Sequence, residues 1–198
     1  MEKLHRLLSE QPCVNYKAFS ELVKKAVENV WGDSVLFYPA YPHEDVDITP
    51  IITHNIRLKE PGGTGTHREI KPRLRYSDKT EDGRLFNVYG QWFDFEVQFD
   101  IWAGTGDQAD QYVEDFQQLI MQYTGFFKRK GVSQIFLKRQ VNDNNTKQWR
   151  SDLINRTLVY YVKIDETRII FPRELKTVDI NPIVAPYLII DEEPENED

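Results

Sequence analysis

The sequence lacks the cysteines that would hold a small secreted domain together or bind zinc. Cys13 is the only cysteine among 198 residues, which excludes a disulfide framework and a cysteine zinc site within one chain. No stretch is apolar for long enough to cross a membrane, and the first residues, MEKLHRLLSEQPC, lack the apolar run of a signal peptide. We therefore expect a soluble protein of a reducing compartment, without a membrane partner.

Enzyme motifs are also missing. The glycine-rich stretch PGGTGTH, residues 61–67, lacks the Gly-Lys-Ser/Thr ending with which a phosphate-binding loop holds its ligand. No Gly-x-Ser-x-Gly elbow presents a nucleophilic serine. The histidines are scattered without the spacing of metal ligands: His5, His43, His54 and His67. We expect no catalytic residue, no metal and no cofactor, and hence a protein that is not an enzyme.

Negative charge is concentrated at the C-terminus. The net charge is −7, and the last eight residues, DEEPENED, contain six acidic side chains, so the rest of the chain is nearly neutral. A run of like charges repels itself, which predicts a disordered acidic tail over 191–198. A chain of this length most simply forms one domain, which we assign to residues 1–170. An extended C-terminal arm, here called the C-terminal extension, follows over 171–190 and is too rich in proline for a central strand.

Hydrophobic periodicity predicts two helices and several strands. Apolar residues three and four apart predict amphipathic helices over 16–31 and 107–129, the second capped by Thr105 or Asp107. Prolines break residues 35–58 into short extended pieces. Apolar residues at alternate positions predict strands over 85–102, 132–139 and 153–164. The sum is an α+β fold, in which two helices pack on one face of a mainly antiparallel sheet of about four or five strands.

Residues 59–83, here called the arm, have no sustained apolar period. Their first part is glycine-rich and their middle is basic, and a segment of this length without a core pattern is usually functional. We expect a long loop or a hairpin that contacts a protein partner, because arginine and tyrosine are favoured at interfaces. The candidate interface residues are Arg68, Arg73, Arg75 and Tyr76 in the arm, and Lys147, Trp149 and Arg150 in a turn-rich loop.

The strand QWFDFEVQFDIW, residues 91–102, carries the acids that could form a site. Its phenylalanines alternate, so the other face of the strand presents Asp94, Glu96 and Asp100. Such carboxylates could hold magnesium in a nuclease, but Gln98 stands where the common acid-x-lysine pattern places its lysine. A half-buried strand explains every position, so we favour a structural strand whose acids face water, a lumen or a partner.

The middle of the chain resembles a known family. FEVQFDIWAGTGDQADQYVEDFQQLIMQY, then GVSQIFLKR, the Trp149-Arg150 pair and INRTLVYYVKID are similar in arrangement to tail-terminator and tail-completion proteins of tailed bacteriophages, over about residues 15–165. The resemblance implies a small subunit that forms a ring, typically hexameric. The ring would end the tail tube and join it to the neck and connector proteins, while DNA passes through its lumen.

The resemblance also implies roles for the candidate residues. The arm and the loop 140–150 would contact a neighbouring subunit, the tube or the connector, and acids facing the lumen would repel DNA so that it slides. The protein would be part of the virion tail or neck and would assemble in the host cytoplasm. The arm and the C-terminal extension leave a tail terminator and another neck or head–tail joining protein both open.

The residues themselves leave two further hypotheses. One is a metal-dependent nuclease that uses Asp94, Glu96 and Asp100. The other is a non-catalytic nucleic-acid or adaptor module that binds through the basic residues 68–84. A structural role in assembly is favoured over both, because no catalytic motif is present and the chain body is not basic overall.

Overall fold

The computed structural model describes residues 15–39, 50–64, 67–142 and 153–171. These residues form two helices and a mostly antiparallel sheet, which confirms the predicted α+β class. The helices are α1, Tyr16–Trp31, and α2, Gly106–Arg129. The strands are β1 Leu36–Pro39, β2 Ile51–Pro61, β3 Gly63–Thr64, β4 His67–Arg68, β5 Arg73–Lys79, β6 Leu85–Ala103, β7 Val132–Asn142 and β8 Ile154–Ile170.

Both helices begin and end at residues whose chemistry suits these positions. The side chain of Asn15 accepts a hydrogen bond from a first-turn amide of α1, and Gly32 follows this helix with φ 57°. Thr105, rather than Asp107, caps α2, and Gly131 lies just beyond its end with φ 99°. Within the described ranges, neither helix is long and apolar enough to cross a membrane.

The main sheet has the strand order β1-β2-β6-β8-β7, and β5 also pairs with β6. Only β1 and β2 run parallel among the paired strands. Strands β6 and β8 pair without interruption from Asn87 opposite Ile170 to Ala103 opposite Ile154, and so form the spine of the sheet. Strand β2 pairs with the second part of β6, whereas β5 pairs with its first residues.

The sheet has six strands, which corrects the predicted four or five. The additional strand is β5, which lies in the arm and pairs with residues 85–90 of β6. Its sequence, RLRYSDK, has no apolar alternation, which fits a strand in which every side chain lies exposed or half-buried. The arm also contains a separate two-stranded hairpin, formed by β3 and β4. The arm is therefore a set of hydrogen-bonded strands along the sheet.

The helices cover one face of the sheet and bury the core against it. On β6 this face is formed by the odd-numbered residues Phe95, Val97, Phe99 and Ile101. The Phe99 ring lies 5.0 Å from that of Phe116 on α2 and 5.8 Å from that of Tyr160 on β8. Helix α1 joins the same core where Phe19 meets Phe127 at 6.0 Å. The prediction that the phenylalanine face of this strand packs beneath residues 107–129 is confirmed.

Candidate functional site

The three acids of β6 lie on the sheet face opposite the helices, and each has its own partners. Asp94 accepts a hydrogen bond from the Tyr161 hydroxyl at 2.7 Å. Glu96 forms an ion pair with Lys138 of β7. Asp100 is only 1 % exposed. Each of the three acids therefore has partners within the sheet, and only Glu96 among them is paired with a cation by these contacts.

The spacing of these acids does not suit a shared metal ion. A strand rises about 3.3 Å per residue, so Asp94 and Asp100 lie about 20 Å apart along β6. Ligands of one magnesium ion must approach it to about 2.1 Å. Among residues 15–39, 50–64, 67–142 and 153–171, no group of three or more histidine, cysteine, aspartate or glutamate side chains could hold a metal ion.

Asp100 belongs to a buried polar network that spans three strands. Gln98 donates from Nε2 to both carboxylate oxygens at 2.6 Å, and the Thr157 hydroxyl donates to one of them at 2.5 Å. Arg57 of β2 donates in turn from Nε to the side-chain oxygen Oε1 of Gln98. Burial raises the pKa of Asp100, although the hydrogen bonds from Thr157 and Gln98 oppose this shift. The network stabilises one register of the sheet at this end.

We expect Asp100→Asn to remove a pH dependence from the stability of the protein. The folded-state pKa of Asp100 lies above its ordinary value of 3.8, so between these two values the folded chain holds a proton that the unfolded chain has released. The stability of the wild type relative to Asp100→Asn should therefore rise as the pH falls through this window. Urea unfolding at a series of pH values measures this difference.

Asp110→Asn is the matched control for this measurement. Asp110 is bound by Arg156 at the surface, and its hydrogen bonds lower its pKa. Its contribution to stability is present above the ordinary pKa and is lost as the pH falls, which is the opposite sign. Parallel stability curves for the wild type and Asp100→Asn would contradict the assignment of Asp100 as a buried carboxyl with a raised pKa.

A second polar group, here called the arm cluster, consists of Glu69, Arg75 and Asp165. The Arg75 guanidinium binds Glu69 through two nitrogens, at 2.7 and 3.1 Å, and Asp165 through two contacts, at 2.8 and 2.9 Å. Glu69 is 7 % exposed and also accepts from the Trp92 amide at 2.9 Å. The cluster thus ties the arm to both β6 and β8.

The pKa values of the arm cluster reflect this mutual pairing. Hydrogen bonds to Asp165 raise the pKa of Arg75 above its ordinary value, although burial acts in the opposite direction. Burial alone would raise the pKa of Glu69, but the bonds from Arg75 and from the Trp92 amide outweigh it, so this pKa is lowered. The lowered pKa keeps Glu69 ionised at neutral pH, beside the cation of Arg75.

Gly90 of β6 leaves the space in which the arm cluster forms. A Cβ atom at this position would lie 2.5 Å from Arg75 Nε and 2.6 Å from an Asp165 carboxylate oxygen. Both distances are shorter than van der Waals contact, so a larger residue would push the two side chains apart. A glycine inside a strand often marks such a close approach, and this signal could have identified Gly90 from the sequence.

The structure separates the residues that the sequence grouped as an interface. Arg75 makes the internal ion pairs of the arm cluster, and Tyr76 is half-buried beside it. Arg73 is 72 % exposed at its side chain and reaches Glu69 at 3.4 Å, and Arg68 pairs with Glu60 at the surface. Three further candidates lie outside the described residues: Lys147, Trp149 and Arg150.

No family model matches the chain, and a search of curated proteins finds none that is similar to it. Function must therefore be inferred from the contacts of the described residues. These contacts assign the acids of β6 and the arm cluster to internal structure. The remaining candidates are the surfaces that the sheet exposes.

One buried pair beneath α1 resembles a catalytic dyad but behaves as core. The Tyr16 hydroxyl lies 2.7 Å from His54 Nδ1, and the His54 ring stacks on Phe37 with 4.9 Å between centroids. Burial lowers the pKa of His54 and raises that of Tyr16, so both side chains are neutral near pH 7. The contact with Tyr16 satisfies Nδ1 of this neutral histidine within the fold.

Sequence periodicity did not reveal the apolar side chains that the sheet exposes. Ile56 and Leu58 are exposed on β2, and two further groups lie at separate margins. One margin lies beyond the helices, where β5 pairs with β6, and it exposes Leu74, Leu85 and Ile170. The other is β7, at the end of the strand order, which exposes Phe136 and Leu137. Exposed apolar groups that follow strands are typical of surfaces that bind another protein.

Proposed function

We propose that this protein is a structural subunit of a tailed-bacteriophage virion. It forms a ring, with six copies as the number typical of the family it resembles, that ends the tail tube and joins it to the neck or connector. DNA passes through the lumen of the ring. The observation that carries this proposal is the pair of exposed apolar margins, at β5 with β6 and at β7.

Two different surfaces on one subunit suit a head-to-tail contact. When one surface of each copy binds the other surface of the next, the chain of contacts closes into a ring if the rotation between copies permits it. The helices cover only one face of the central strands, so they do not block either margin from a partner. The α+β architecture and the sequence resemblance over residues 15–165 support the same role.

The other two hypotheses receive less support from the described contacts. The separation of Asp94 from Asp100 argues against a nuclease site, as does the ion pair between Glu96 and Lys138. An adaptor that binds nucleic acid through the arm would have to use its exposed cations such as Arg73, because Arg75 is enclosed by Glu69 and Asp165. A test of DNA binding by the arm should therefore change Arg68 and Arg73, and not Arg75.

Light scattering tests the proposed assembly. The purified protein, alone or mixed with tail tube protein, should have the mass of several chains, because assembly would cover its exposed apolar margins. A mass of one chain under both conditions would contradict the proposal. Magnesium-dependent cleavage of DNA that is lost in Glu96→Gln would replace it with the nuclease hypothesis.

A further inference from the structure

A groove runs between α2 and the edge strand β7. Its volume is about 480 Å³, and its apolar lining comes from Ile120, Met121, Ile135, Leu137 and Tyr160. Met121 is 72 % exposed although it lies beside these apolar residues. A groove of this kind suits a segment with alternating apolar side chains.

The backbone of β7 offers hydrogen bonds along the same groove. Among the described strands, β7 pairs only with β8, so its outer edge carries N–H and C=O groups that another strand could bind. This edge is 11 residues long, and nearly all residues from 133 to 140 are exposed. Addition of a strand to such an edge combines main-chain hydrogen bonds with side-chain pockets.

The chain beyond Phe171 contains a segment with suitable chemistry. Residues 177–190, TVDINPIVAPYLII, are rich in apolar side chains. Pro182 and Pro186 are four positions apart, so an extended strand would place both on the same edge. Proline is tolerated on the free edge of an outermost strand, because the missing N–H is not needed there. The odd-numbered residues between them keep their N–H groups for pairing with β7.

Charge complementarity selects the direction of this added strand. The segment continues into the acidic residues 191–198. The basic residues Lys128, Arg129 and Lys130 end α2 immediately before β7 begins at Val132. If the added strand runs antiparallel to β7, its C-terminal end lies at the start of β7, and the acidic tail reaches these cations. A parallel strand would place the acidic tail at the other end.

The position of Phe171 favours a groove on another copy. Its ring packs on Phe86 of β6 at 6.2 Å and lies 5.8 Å from the Arg84 guanidinium, so this last described residue lies on the side of β8 away from β7. The last described residue and the acceptor groove of one copy thus lie on different sides of β8, which suits a head-to-tail contact.

We infer that residues 177–190 of one copy add to β7 of a second copy as an antiparallel strand, with their apolar side chains in the groove beside α2. This inference rests on the proposed ring and names the contact that links its subunits. Each copy donates one segment and accepts one, so the contact is repeated around the ring.

Disulfide trapping between different chains tests this contact. In a Cys13→Ser background, one chain carries Met121→Cys, and a second chain carries a cysteine that replaces Val184, Ala185 or Tyr187. The two chains are mixed, oxidised and digested, and disulfide-linked peptides are identified by mass spectrometry. We expect position 121 to be linked to at least one of the three positions. Val30→Cys, an exposed position on α1, is the matched control and should form no such link.

A chain that carries both cysteines then shows whether the segment in the groove comes from the same chain or from another copy. Links between copies should give a ladder of covalent oligomers on a non-reducing gel. A link within one chain, or no link in any combination, would overturn the inference, and rings seen in the same sample would leave the proposed function standing. Links between copies without any ring would support the inference and contradict the proposed function.

A charge placed in the groove provides a second readout. Met121→Glu should lower the assembled mass measured by light scattering, because it brings a carboxylate against the apolar segment. Val30→Glu, the same kind of change on α1, should leave the mass unchanged. Equal masses for Met121→Glu and the unaltered chain would contradict the inference.

Discussion

Arg75→Met should lower the stability of the arm by about 3 kcal/mol. The change preserves most of the side-chain volume but removes the cation bound to Asp165 and leaves Glu69, which is 7 % exposed, with only the exposed Arg73. Removing one partner of a buried ion pair typically costs about 3–5 kcal/mol, and we expect the lower value because the Arg75 side chain is 24 % exposed. Hydrogen exchange of the β5 amides and of residues 85–90 should become about 100-fold faster, since 1.4 kcal/mol corresponds to tenfold.

Arg73→Met is the control for this prediction. Arg73 reaches the same carboxylate of Glu69, but its side chain is 72 % exposed. An exposed ion pair contributes about 0–1 kcal/mol, so exchange in β5 should change little. Unchanged exchange in Arg75→Met would contradict the assignment of the arm cluster as the contact that holds β5 against β6 and β8.

Phe99→Ala should lower the free energy of unfolding by about 3–5 kcal/mol, the usual cost of removing a buried phenylalanine. Its ring lies at the centre of the core, 5.0 Å from Phe116 and 5.8 Å from Tyr160. Phe37 approaches it from β1 at 6.4 Å, so the cavity would adjoin both α2 and the sheet. Urea unfolding followed by far-UV circular dichroism measures the change.

Phe136→Ala removes the same side chain from a different environment. Phe136 is 52 % exposed on β7 and stacks on Tyr161 at 4.8 Å. We expect a loss of about 1 kcal/mol, the size of one aromatic pair. If Phe99→Ala cost no more than Phe136→Ala, the alternating phenylalanines of β6 would not form the core of the fold.

The two polar groups of the sheet should respond to acid in opposite ways. The pKa of Glu69 is lowered, so its contribution is fully present above the ordinary value of 4.5 and is lost as the pH falls through the folded-state value. The pKa of Asp100 is raised, so its cost is relieved as the pH falls. Acid below pH 4.5 should therefore loosen the arm through Glu69, whereas protonation of Asp100 stabilises the other end of the sheet.

The helices and β6 could be predicted from the sequence because their apolar residues follow one strong period. Alternation from Phe93 to Ile101 identified the buried face of β6, and spacings of three and four identified α2. Thr105 and Gly131 also carried recognisable capping chemistry.

The arm could not be read in the same way. Strand β5 is stabilised by pairing with β6 and by ion pairs, and neither leaves an apolar period in RLRYSDK. Arg75 and Asp165 are 90 positions apart, so no local pattern could show that they meet. The burial of Asp100 was also hidden, because its polar partners come from β6 itself and from β8.

Negative-stain electron microscopy tests the central claim most directly. The purified protein would be imaged alone and after mixing with tail tubes. The proposed function predicts closed rings of uniform diameter with a central opening, seated at the ends of tubes in the mixture. Particles the size of single chains in both samples, with all tube ends bare, would contradict it.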